Sequence, residues 1–140
     1  MDRPQLGLDV MSWESPFVTH DDVKRIEKET GISLPQHYVD LVVNYPDELA
    51  ETEAPDYGLL DDPDEVIRAN RDVREQGYFG EQWPLQYFII GQNGCGDYYV
   101  ILHEGTAFSV GFADHEIMAC NRFANTREEF IEKLLKEIAE

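Results

Sequence analysis

The sequence predicts one α+β domain, in which a largely antiparallel, mixed sheet laid out as a meander is packed by helices from both ends of the chain. Three observations predict it. Apolar residues recur at helical spacing near the N-terminus and again near the C-terminus. Between Tyr87 and Cys120, short runs of β-forming residues are separated by Gly, Asn and Asp turns. The chain has 140 residues, about one domain, and no linker divides it. Residues 1–140 are therefore read as a single domain with its core at about 18–138.

The elements follow in order. Thr19 is placed to cap the amide of Asp22, and Val18 and Val23 stand at staple spacing, so a helix opens at residue 20. Val23, Ile26 and Thr30 share one face, and Gly31 stops it. Ser33-Leu34-Pro35-Gln36 starts a second helix, because proline's fixed φ suits a first turn. Its stripe is Tyr38, Leu41, Val42 and Tyr45, and Pro46 ends it. Residues 47–61 read as an acidic loop with one short strand near Tyr57–Leu60. Asp62 as cap, Pro63 after it and Glu65 in the first turn open a third helix. Val66, Ile67, Asn70 and Val73 line its inner side, and Gly77 closes it.

Strands are expected at Tyr87–Ile90, Tyr98–His103, Thr106–Phe112 and Glu116–Cys120. Gly91–Asp97 is a turn cluster in which Asn93-Gly94 signals the reversal. Thr126-Arg127-Glu128-Glu129 has the capping-box pattern. Phe130, Ile131, Leu134, Leu135 and Ile138 then give a closing amphipathic helix.

Charge is the compositional outlier: 29 acidic against 11 basic residues give −18. Such a surface repels phosphate backbones and anionic lipid, so neither nucleic acid nor a membrane is an expected partner. A basic protein is. The acids are also segregated. Glu29 to Ile67 holds eleven acids and no Lys or Arg, and Glu75 to Asn121 holds six more and again no base. A solvated surface that aids solubility accounts for this as readily as an electrostatic docking face does. The N-terminal Met1–Asp9 stretch lacks the pattern of a signal peptide, and no apolar run is long enough to span a bilayer. Cys95 and Cys120 form no CxxC, which points to a reduced cytoplasmic chain, with a single Cys95–Cys120 disulfide left open.

Catalytic and cofactor patterns are missing. The Gly91, Gly94, Gly96 cluster is followed by a strand rather than a helix, so it reads as a hairpin turn and not a phosphate loop. His20, His37, His103 and His115 form no metal-binding pair, and no DxDxDG calcium loop occurs. Cys95 paired with His103 or His115, or an Asp–His pair that Asp97→Ala would test, is the one enzymatic option, and it ranks last. No cofactor or metal is expected. Most aromatics, Trp13 among them, should be core. Tyr57, Tyr78 and Trp83 are the candidate interface anchors, since such residues dominate protein–protein hot spots. With Asp47, Glu48, Glu51, Glu53, Asp56, Asp61 and Asp62 they make up the expected protein-binding set.

Ile26-Glu27-Lys28-Glu29-Thr30-Gly31-Ile32 followed by Leu34-Pro35-Gln36-His37-Tyr38 resembles the opening of the SUKH superfamily, whose best-known branch is the Smi/Knr cell-wall-assembly regulators. Phe88–Ile101 is similar to that family's strand–glycine–Gly-Asp–strand segment, and Ala124–Ile131 to its closing helix. One departure is Asn44-Tyr45-Pro46-Asp47, where many relatives run into a glycine turn. The resemblance implies a sheet packed by helices and no catalytic residues. It implies one of two roles: a bacterial immunity protein that neutralises a toxin, often a nuclease, or a regulatory scaffold without a toxin partner. The first role is expected here, with the protein a monomer or weak dimer that meets a basic toxin through its acidic face.

Overall fold

The computed structural model describes residues 18–139. Trp13 and the Met1–Asp9 stretch lie outside the described residues. Among the described residues, five helices and four strands run in the order α1 (His20–Thr30), α2 (Gln36–Val43), α3 (Asp47–Ala50), α4 (Pro63–Gln76), β1 (Tyr87–Gln92), β2 (Tyr98–Leu102), β3 (Val110–Asp114), β4 (Ala119–Ala124) and α5 (Arg127–Ala139). The strands form one sheet in the order β1-β2-β3-β4, antiparallel throughout. The meander is as expected.

Local chemistry sets the helix ends. Thr19 Oγ1 accepts from Asp22 N at 3.1 Å while the Asp22 carboxylate accepts from Thr19 N, closing a capping box ahead of α1. Gly31 ends α1 in the left-handed conformation that only glycine adopts cheaply. Asp62 caps α4 through Asp64 N at 2.9 Å, with Pro63 in the first turn. Thr126 Oγ1 accepts from Glu129 N ahead of α5, while Glu129 reaches back to Asn125 N rather than to the cap itself. The second helix starts at a Pro35 cap with no side-chain bond. Instead the Glu27 carboxylate of α1 takes Leu34 N at 2.8 Å, which ties the two helices together.

Alternation along the strands divides the core in two. Phe88, Ile90, Tyr99 and Ile101 face α1, α2 and α5, where they meet Ile26, Tyr38, Leu41, Phe130 and Leu134. Ile89, Val100 and Ala113 point the other way, onto Val73 of α4 and onto Tyr78 and Trp83. Both faces of β1 are thus covered, so its sequence is a continuous apolar run rather than an alternating one.

Among the described residues, side chains and a loop rather than a fifth strand close the outer edge of β1. Buried Asn70 of α4 donates to Ile89 O at 3.0 Å and accepts from Ile89 N at 2.7 Å. Arg74 and Trp83 both donate to Tyr87 O. Further along, Leu60 N donates to Ile90 O, and Gln92 N donates to Gly58 O. Every one of these groups would otherwise be an open edge. Gly91 stands where a Cβ would lie 1.7 Å from Gly58 O, so this contact requires glycine.

The structure corrects several boundaries. The strand expected at Tyr57–Leu60 is a single bridge, Leu59 to Gly91. Residues 47–61 contain α3 as well as loop. The second helix ends at Val43 rather than Tyr45, although Tyr45 remains buried. The third and fourth strands start later than expected, at Val110 and Ala119. Phe108 is the reason for the first delay: it packs on His37 and Phe130, which takes residues 106–109 out of the ladder. The second delay follows from a turn over 115–118, pinned where Asp97 takes His115 N and Asp114 takes Glu116 N.

Candidate protein-binding face

The stretch between α2 and α4 is acidic, ordered and outward-facing. Leu49, Ala54 and Leu59 are buried beneath it, so the chain between them is held down at several points. Thr52 Oγ1 donates to Leu49 O and accepts from Ala54 N, and Tyr57 N donates to Glu53 O at 2.7 Å. Gln92 reaches out of β1 to Asp56 O. On this frame Asp47, Glu48, Glu51, Glu53, Asp56 and Asp62 are exposed, and Asp61 is half-buried. Among the described residues none of these seven is in an ion pair, whereas Asp64 and Glu65 are matched by Arg25 and Arg68. Burial pushes the Asp61 carboxyl up to about 6, and the charges on Asp56, Asp62 and Glu65 act in the same direction.

The expected aromatic anchors divide. Tyr57 is 51% exposed, while Tyr78 and Trp83 are only 7% and 2% exposed and belong to the second core. The correction has a structural cause. The Tyr78 hydroxyl donates to Gly96 O and Ala113 O, and the Trp83 indole donates to Tyr87 O, so each ring lies over the sheet. Sequence reasoning missed the neighbour, Phe79. It is 59% exposed and holds a left-handed φ of 49°, unusual outside glycine.

Tyr57 and Phe79 rest on the same β1–β2 turn. A Cβ on Gly94 would stand 2.9 Å from the Tyr57 ring, and one on Gly96 would stand 2.8 Å from the Phe79 ring. Both glycines have positive φ. The cluster read as a hairpin turn is such a turn, and its missing side chains also make room for two exposed aromatics.

Asp97 clamps that turn. Its carboxylate accepts from His115 N at 2.8 Å, from His115 Nδ1 at 2.6 Å and from Asn93 Nδ2 at 3.0 Å. Burial alone would raise its pKa. The His115 backbone N–H, the His115 ring and the Asn93 amide outweigh burial and hold it below the ordinary carboxylate range. The Phe79 ring stacks on His115 with centroids 4.4 Å apart. The Asp–His pair of the enzymatic option is therefore formed. Among the described residues, the hydrogen-bond partner of the His115 ring is this Asp97 carboxylate. Asp114 brings a third ligand-type group within 4.8 Å of Asp97 and His115. Asp97 Oδ1 accepts two N–H groups and Oδ2 accepts one, while Asp114 Oδ1 holds Glu116 N. The trio acts as a fastening for two turns. Cys95 and Cys120 are both free thiols, so the disulfide left open by the sequence is not formed.

The helix pair over residues 20–43, the strand–turn–strand at 87–102 and the closing helix meet in one domain, and the sequence matches the SMI1 / KNR4 family (SUKH-1) over residues 18–133. The chain belongs to this family. No curated protein and no solved structure matches it. The SUKH-1 match begins at Val18, whose side chain is buried beneath α1, and ends inside α5, so it covers the sheet and both of its packed faces. Among the described residues of this SUKH-1 domain, no helix is long and apolar enough to cross a membrane.

Proposed function

We propose that this SUKH-1 domain is a non-catalytic binding protein, and that the stretch from Asp47 to Asp62 receives a basic protein partner. The observation that carries the reading is the set of seven carboxylates on an ordered segment, none of them in an ion pair among the described residues. Asp61 supports it, because a carboxyl pushed to about 6 by burial and by like charge is retained at some cost to stability. A face of this kind speeds encounter with a positive surface and selects against negative ones. Nucleases hold phosphates with basic surfaces, so a nuclease-type toxin is the partner class that matches best, with this chain as its immunity protein. The regulatory-scaffold role uses the same fold, and no particular observation favours it.

The test is capture of the partner by the tagged full chain from lysate of its source organism, at low and moderate salt, with identification by mass spectrometry. A single stoichiometric basic protein, released by salt and neutralised in its toxic activity by this chain, is the expected result. Capture of an intact regulatory complex would replace the immunity reading with the scaffold one. A partner whose affinity is unchanged when Glu48, Glu51, Glu53 and Asp56 are all replaced by Lys would remove the acidic segment from the interface.

A further inference from the structure

Tyr57 and Phe79 are both seated on the β1–β2 turn with their rings largely open to solvent. Phe79 is more than half exposed, so its burial contributes little, and its left-handed φ costs about 1 kcal/mol that glycine would avoid. Strain held at an exposed apolar residue is a pointer to function. The surroundings say what the rings meet. From Glu75 to Asn121 the sequence has no Lys or Arg, and none from Glu29 to Ile67 either, so the loops bearing both rings carry no cation of their own. Beside Tyr57 lies a hollow of about 310 Å³ walled by Glu53, Asn93, Tyr99, Glu137 and Ile138. Phe79 stacks on His115, next to exposed Glu116. An aromatic face flanked by carboxylates suits a guanidinium or ammonium, which the ring quadrupole and the acids attract together.

We infer that Tyr57 and Phe79 are the anchors of the binding face and take Arg or Lys side chains of a basic protein segment laid across the Asn93–Asp97 turn. This rests on the acidic-face reading and adds where its contact energy is concentrated. The occupant follows from charge. A second copy would bring the same negative surface against itself, and an anionic ligand would be repelled.

The test uses a nine-residue arginine peptide as probe, titrated into the isotope-labelled full chain at low salt and followed by amide chemical shifts. The expected result is that shifts concentrate on the Asn93–Asp97 turn and on residues 56–58 and 78–80. Tyr57→Ala and Phe79→Ala, which leave the charge untouched, should each weaken binding about fivefold, while Tyr57→Phe and Phe79→Tyr retain it. Unchanged thermal melting of each variant shows that the fold is intact. If both alanine variants bind as the parent does while the quadruple Lys variant does not, this inference fails and the acidic face stands. If the peptide does not bind at low salt, both fail. If sedimentation shows a dimer that Phe79→Ala converts to monomer, the rings are covered by a second copy and the inference is overturned.

Discussion

Asn70 takes the place of a neighbouring strand at the outer edge of β1, with its amide oxygen and nitrogen matched to the N–H and C=O of Ile89. Removing one partner of a buried hydrogen bond costs more than the bond contributes, because the orphaned groups stay dry. Asn70→Ala orphans both groups of Ile89, and denaturant unfolding should show a loss of about 3 kcal/mol. Gly91→Ala should cost at least as much, since its Cβ would overlap Gly58 O and neither backbone can move without breaking the β1 edge. Asp61 runs the other way. Its folded pKa is raised from 3.8 to about 6, so the folded state holds the proton more tightly and stability falls as pH rises through that window. Asp61→Asn should therefore stabilise the protein at pH 7.5 by about 1 kcal/mol, allowing for partial solvent screening, with the gain gone by about pH 4. Unfolding curves at the two pH values check this. An equal gain at both would mean that the charge on Asp61 is not its cause.

At the scale of elements, the β1–β2 turn is the joint on which the proposed site depends. Asp97 fastens it to the 115–118 turn with a carboxylate held below its ordinary pKa. For a depressed carboxylate the stabilisation is present above the unfolded pKa and lost as pH falls through the folded one. Asp97→Asn should lose about 2 kcal/mol at pH 7 and show a shallower loss than the parent as pH falls below 3.8, measured by thermal melting across pH. The elements themselves differed in how plainly the sequence announced them. Caps made α1, α4 and α5 legible: Thr19, Asp62 and Thr126 each satisfy amides one turn away, and that chemistry is local. The third and fourth strands were displaced because their limits depend on distant partners, Phe108 on His37 and His115 on Asp97. The same limit explains the anchors. Tyr78, Phe79 and Trp83 are alike by composition, and which of them faces water is decided by carbonyls of Tyr87, Gly96 and Ala113 that no local pattern reveals.

For the whole molecule the decisive quantity is the net charge of −18. Its distribution was readable in the sequence, as two long stretches without a base, and the structure adds that the Asp47–Asp62 part of the first is held down by its own hydrogen bonds with six of its carboxylates exposed. Self-repulsion of that charge opposes compaction, so the free protein should melt several degrees higher in about 0.5 M than in about 10 mM sodium chloride, where the Debye length is roughly 30 Å. A melting temperature insensitive to salt would show that the carboxylates are neutralised within the fold. Binding should respond oppositely, because the same salt screens the attraction between the acidic face and a basic partner.

In the proposed role, the Asp47–Asp62 face steers and holds that partner. Its most direct test is the association rate of the captured partner with the parent chain and with the variant carrying Lys at positions 48, 51, 53 and 56, measured by stopped flow over a salt series. The parent rate should fall at least about tenfold from about 50 to about 500 mM salt, and the variant rate should be slow and nearly flat. Equal rates and equal salt slopes for the two proteins would contradict it.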